Sequence, residues 1–404
     1  MEFYKWENIL VILIMLAILT AGISFALQSK NNFINKSLKS QNNILIAKVN
    51  LNATLPPQKL SNPPEIVKAV YVTGYSAGTK KYINYLSQLL ENTEINSVVI
   101  DIKGSDGYVT YNSSLPDVQK YKLTDSAISD IDSLIRFFHN KNIYVIGRIV
   151  VFEDPVYSKI KPELAVYNKT ETTDLSHPVL WKDNHGLAWL DPASKDVWDY
   201  DISLAKDAFN NHGFDEINFD YVRFPTDGKS ENMGFPIYDG KKEKSEVIKE
   251  FFTYLRQQLK GGKISVDLFG QTTVNKDDMG IGQLLESTFL NFDYICPMVY
   301  PSHYINGFDG FLNPAEHPYE IVKYSMDSGI SRENIFFQNS TQKNISLAKF
   351  RPWLQDFNMG AVYDEQMVKQ EIKAVQDSLQ NNYSGFMLWN PNNKYTEEAV
   401  AKQK

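Results

Sequence analysis

The chain has 404 residues, 43% of them hydrophobic and 13% aromatic, which is enough to bury a large core and too apolar for a disordered protein. Its formal net charge of -7 leaves no basic surplus for nucleic acid, and its single cysteine excludes both an internal disulfide and a cysteine metal cage.

The first element is an apolar, uncharged run from Ile9 to Leu27, long enough to cross a bilayer as a helix of about 20 residues. It has no polar face, which argues against a helix packed on a soluble core. We expect residues 1–28 to be a signal anchor that holds the rest of the chain outside the cytoplasm at the cell membrane. The alternative is a signal peptide cleaved near Ser24-Phe-Ala26, with the remainder secreted. Residues 29–65, rich in Asn, Lys, Ser and Gln and ending in Pro56-Pro57 and Pro63-Pro64, read as a flexible stalk.

From residue 66 to 396 short β-rich runs alternate with helix-like stretches, the pattern of parallel βα units. The strand candidates are 70–74, 97–103, 143–152, 216–224, 263–269, 294–300, 350–355 and 385–390. Helical segments are expected at 80–91, 127–140, 197–212, 244–261 and 365–380. Eight units in one domain predict an α/β fold, a single (β/α)₈ barrel; a doubly wound open sheet is the alternative, weakened by the lack of a glycine-rich dinucleotide fingerprint. The stretch 153–213 is too long for a simple connection, and Trp181 to Pro192 is expected on the rim of the site. Residues 397–404 read as a polar tail.

Period-two alternation sorts the strand residues. With Ile217, Phe219 and Tyr221 facing the helices, Asn218, Asp220 and Val222 face the barrel interior. The same reasoning turns Ser265 and Asp267 inward on the fifth run, Asp101 and Lys103 on the second, and Arg148 on the third. Buried acids are costly unless paired or near solvent, so these mark either structural ion pairs or a site at the strands' C-terminal ends. Asp220 and Asp267 on neighbouring strands would have backbones about 5 Å apart, compatible with the roughly 5–5.5 Å between the two carboxyls of a retaining glycosidase. Arg223, just beyond Asp220, is a candidate for holding a nearby carboxylate ionised. Tyr300 and His303 after the sixth run, Trp353, Gln355 and Asp356 in the seventh, and Trp389 and Asn390 closing the eighth add aromatic and amide groups suited to a sugar. Cys296, in an apolar run, reads as a small buried hydrophobe.

Several segments resemble a family described as putative glycoside hydrolases, barrels distantly similar to the α-amylases. They are Trp189-Leu-Asp-Pro192, Gly213-Phe-Asp-Glu-Ile-Asn-Phe-Asp-Tyr-Val-Arg-Phe-Pro225, Pro297-Met-Val-Tyr-Pro-Ser-His303, Arg351-Pro-Trp-Leu-Gln-Asp-Phe357 and Leu388-Trp-Asn-Pro391. The resemblance runs from about Val67 to Tyr395 and implies a barrel glycosidase; together with the apolar run at 9–27 the expected substrate is an extracellular or cell-envelope polysaccharide, and no cofactor or metal is expected. In α-amylase-like enzymes the fourth strand carries an Asp nucleophile, which Asp220 matches, and the fifth a Glu acid/base, where this chain has the shorter Asp267. An assisting Asp after the seventh strand would correspond to Asp356. A barrel that binds glycan or wall polymer without cleaving it is the competing reading. A metal-dependent hydrolase would need clustered His ligands, and only His303 is well placed.

Overall fold

The computed structural model describes residues 57–341 and 346–402. Eight parallel strands follow one another around a closed sheet: β1 Val67–Val72, β2 Ser97–Lys103, β3 Tyr144–Val150, β4 Glu216–Asp220, β5 Lys263–Phe269, β6 Tyr294–Met298, β7 Trp353–Gln355 and β8 Gly385–Trp389. β1 pairs with both β2 and β8, so the sheet closes and the open-sheet alternative is excluded. The expected apolar run at 9–27 and most of the expected stalk lie outside the described residues. Among the described residues no helix is long and apolar enough to cross a membrane.

Helices α1 Lys80–Asn92, α2 Ile131–His139, α3 Lys195–Asn211, α4 Lys244–Gln258, α5 Pro318–Asn339 and α6 Glu365–Leu379 surround the barrel, and short 3₁₀ turns link β5 to β6. Local chemistry sets several of their starts. The side chains of Asp130, Ser194 and Asp364 accept the backbone N–H of Ser133, Val197 and Met367, an N-cap worth about 1 kcal/mol each. α5 is absent from the expected helices because its buried stripe includes Ser325, Gly329 and Arg332 beside Ile321, Val322 and Met326, so the apolar period is diluted.

Two apolar layers result from the alternation. Val98, Ile100, Ile217, Phe219, Ile264, Val266 and Leu268 join the layer between strands and helices. Val67, Ala69, Tyr71, Val99, Tyr144, Ile146, Cys296, Trp353 and Met387 fill the barrel interior. The packed body also runs past both expected limits of 66 and 396. Leu60 donates its N–H to Asp215 Oδ1 (2.6 Å), and Ala399 and Val400 are buried.

Inside the barrel the polar groups are layered. Near the N-terminal ends of the strands, Arg351 pairs with Glu216, both fully buried, and Tyr144 donates its hydroxyl to Glu216 Oε2 (3.2 Å). The layer toward the C-terminal ends contains Asp101, Arg148, Asn218, Asp220 and Asp267. Register places it: Asp101 pairs with Arg148, Arg148 with Asn218, and Phe219 with Val266, so one further step sets Asp220 level with Asp267.

Candidate active site

At the C-terminal ends of the strands lies a cavity of about 470 Å³, with Arg148, Asp220, Asp267, Trp353 and Trp389 in its lining. Arg148 is the hub of its floor. Its Nη1 donates to Asp101 Oδ1 (2.7 Å), while Nε and Nη2 both donate to Asp220 Oδ2 (3.0 and 2.6 Å). Tyr71 donates its hydroxyl to the other oxygen of Asp101 (2.7 Å). One guanidinium thus faces two buried carboxylates, and these charge-assisted bonds fix the orientation of Asp220. The remaining oxygen of Asp220 accepts the N–H of Tyr221 (2.7 Å).

Asp267 has a different environment. It is 1% exposed, and its Oδ1 accepts from Asn218 Nδ2 and from Trp353 Nε1, both at 2.8 Å. Burial, reinforced by the charge of Asp220, pushes its pKa well above the usual carboxylate range. Two carboxyls on adjacent strands therefore sit in opposed settings, one bound to a guanidinium and the other held toward its protonated form.

Rings pave the same floor. Tyr71 stacks on Trp389 at 4.0 Å with 15° between the planes, and Trp353 stands edge-on to Trp389 at 5.6 Å. Tyr300 lies edge-on to His303 at 5.2 Å. Its buried hydroxyl has no partner among the described residues, a group that a bound ligand would satisfy.

The end of β4 departs from simple alternation. Tyr221 has φ 53°, a conformation rare for a residue with a side chain and a mark of functional strain. The phase reverses there. Val222, expected inside the barrel, enters the outer apolar layer, whereas Tyr221 and Arg223 line the cavity.

Of the residues expected to contact a sugar, Arg148, Arg223, Tyr300, His303, Trp353 and Trp389 line the cavity with Asp220 and Asp267. The other six do not. Lys103 is the clearest correction. A register shift after Asp101 pairs Lys103 with outward-facing Ile149, and its ammonium reaches Asp154 (2.9 Å) and Asp201 (2.8 Å) between the barrel and α3. Asp101 lies behind Arg148, and Asn218 behind Asp267. Gln355 accepts from Ser302 N–H (3.2 Å) and Oγ (2.8 Å), which ties down the segment after β6. Asp356 continues the strand phase outward and accepts from Thr396 N–H (2.8 Å) and Oγ1 (2.7 Å), closing the chain end over the barrel. Asn390 donates to the carbonyl of Asp356 and accepts from Asn392 N–H, a turn clamp.

The structure adds His185, Tyr221 and Asp227 to the cavity lining, and outside that lining it sets Tyr71 against Trp389 and Asp101 and the buried Glu153 within the field of Asp220 and Arg223. Inward phase on β1 is a signal that could have found Tyr71, and His185 falls inside the expected rim at 181–192, but Asp227 and Glu153 carry no periodic signal. Glu153 is pushed up to about 7 by burial, with Asp183 and Asp220 adding to the effect and Arg223 opposing it. Among the described residues no group of three or more His, Cys, Asp and Glu could hold a metal ion.

The Lys103 cluster has a testable consequence. Lys103→Met leaves Asp154 and Asp201 buried without their cation, a loss of about 3–5 kcal/mol that lowers the melting temperature by roughly 5–10 °C. Burial pushes Asp201 up to about 7 even with Lys103 beside it. An acid raised in the folded state binds more protons than the unfolded chain, so stability falls as pH rises from about 4. The variant's deficit should therefore be larger at pH 8 than at pH 5 in thermal melts, and equal deficits would contradict this account.

Comparison with known proteins adds a family. The model of a family described as "Putative glycosyl hydrolase domain" matches residues 69–395. A hypothetical protein from Ruminiclostridium thermocellum ATCC 27405 is 42% identical, with a TM-score of 0.44, covering 52% of this chain and 98% of that one. The glycoside hydrolase domain of PgaB (BpsB) from Bordetella bronchiseptica shares the fold at a TM-score of 0.55 and 13% identity, covering 84% of this chain and all of that one. An S-layer-related protein of Niallia circulans is 26% identical over 159 residues, and the match spans 10% of its length.

Proposed function

Because that match spans residues 69–395, the chain belongs to the family of putative glycosyl hydrolase domains, and from this premise we propose that it hydrolyses an extracellular or cell-envelope polysaccharide with retention at the anomeric carbon. The observation that carries the reading is the unlike pair on adjacent strands: Asp220 bound to Arg148, and Asp267 buried and pushed toward its protonated form. A carboxyl held toward its protonated form next to one held by a guanidinium suits an acid beside a nucleophile. The level register on neighbouring strands favours the short separation of retaining enzymes over the wider one of inverting enzymes. The uncharged run at 9–27 supports an exported location.

In the proposed reaction a sugar ring lies against Trp389 and Trp353. Asp267 gives its proton to the glycosidic oxygen as the C1–O bond breaks, and a carboxylate oxygen of Asp220 forms a bond to C1. The ionised Asp267 then takes a proton from water, whose oxygen attacks C1 and releases Asp220. Arg148 keeps Asp220 oriented throughout and receives the departing carboxylate.

The test is to incubate the purified chain with a polysaccharide panel and follow the first product by proton NMR. The expected product has the anomeric configuration of the substrate. A product of opposite configuration would refute Asp220 as nucleophile, and binding without any product would favour the glycan-binding barrel.

A further inference from the structure

The catalytic pair occupies one guanidinium of the cavity, Arg148, and leaves a second, Arg223, unassigned. Arg223 is 4% exposed and lines the cavity wall. Its Cζ lies 4.7 Å from the ring centre of Trp189, 4.9 Å from that of Phe269 and 5.7 Å from that of Tyr221. Nη1 donates to the carbonyl of Phe224 (3.2 Å). Three rings and a backbone carbonyl thus hold a permanently charged, planar donor in one orientation.

Its counter-ion contrasts with that of Arg148. Arg148 is matched by Asp101 and Asp220, both buried. Arg223 pairs with Asp227, whose side chain is 46% exposed and which lines the same cavity. An exposed carboxylate gains little from such a pair and can turn into water at small cost, whereas the enclosed guanidinium requires an anion. Asp227 therefore stands where a ligand carboxylate would dock.

We propose that Arg223 selects an acidic sugar, a ring bearing a carboxylate as in a uronic acid, whose carboxylate displaces Asp227 from the guanidinium. The proposal rests on the glycosidase reading and names its substrate class. One guanidinium neutralises one carboxylate and fits its two oxygens with parallel N–H donors, whereas a doubly charged phosphate, though it fits the same fork, keeps one negative charge unmatched. His185 lines the same cavity.

The experiment is calorimetric titration of the full chain with D-glucuronate and, separately, D-glucose. Glucuronate should bind roughly tenfold more tightly, the size of one charge-assisted contact. Arg223→Gln should bring glucuronate down to the affinity for glucose. Asp227→Asn keeps the volume and an amide oxygen that can still accept from Arg223, and it should strengthen glucuronate several-fold by removing the competing carboxylate while leaving glucose unchanged. Equal binding of the two sugars by the parent chain, no glucuronate binding at all, or weakened glucuronate binding in Asp227→Asn would overturn the proposal. Glucose 6-sulfate binding as tightly as glucuronate would also overturn the assignment to a uronic acid. Binding requires no turnover, so a chain that binds glucuronate as expected yet cleaves nothing would refute the glycosidase reading and not this one.

Discussion

Asp220→Asn is expected to abolish turnover on every substrate, by roughly ten-thousandfold or more, while the folded state and substrate binding persist. The change removes the nucleophilic charge and keeps the volume. An amide oxygen can still accept from Arg148, and Arg148 retains Asp101 as its second anion (2.7 Å). Since attack by Asp220 creates the covalent intermediate, a better leaving group cannot rescue the variant. The measurement pairs steady-state rates on natural and aryl glycosides with calorimetric binding. Loss of turnover with retained binding fits the enzyme. Near-normal turnover would remove Asp220 from the chemistry, and equal loss of binding would assign it to substrate holding.

The second large effect belongs to Asp267. Its replacement by Asn should slow natural substrates by roughly 10²–10⁴-fold and spare aryl glycosides whose leaving groups need little protonation. Azide should then accelerate release of the glycosyl-enzyme, because an anion can attack C1 without a base. Asn is the better test than Ala: it keeps an acceptor for Asn218 and Trp353, whereas Ala leaves two buried donors unsatisfied at about 1–3 kcal/mol each. The pH profile gives an independent check. The rate requires Asp267 protonated, and burial with the charge of Asp220 raises its pKa, so activity should persist above the usual carboxylate range and fall as pH rises through the raised value. In Asp267→Asn that alkaline limb should vanish. Equal losses on activated and natural substrates, without azide rescue, would exclude Asp267 as the acid. Glu153, pushed up to about 7, would be the next carboxyl to test, whereas Asp356 is engaged by Thr396.

Much of the barrel was legible because two simple periods carry it. Isoleucine, valine, leucine and phenylalanine at alternate positions of 98–102, 217–219 and 264–268 specify the outward faces, and the residues between them then point inward whatever their polarity. Asp101, Arg148, Asn218, Asp220 and Asp267 were found this way, and the burial of Cys296 was read from the apolar run around it. The helix at 318–339 was not, because small and polar residues on its buried face dilute the period.

What the sequence by itself determined, then, is the eight-unit body, the inward acids and the level placement of Asp220 and Asp267. These follow from strand period and strand order alone. The tertiary structure decided the rest wherever the backbone leaves that period. A register shift after Asp101 carries Lys103 out of the barrel to Asp154 and Asp201, and the left-handed Tyr221 brings Arg223 into the cavity that strict alternation denied it. The partners of Arg148, the position of Asp227 opposite Arg223 and the protonated bias of Asp267 likewise come from residues distant in the chain. They are set by burial and by charges brought together across strands, which period and spacing along one segment do not encode.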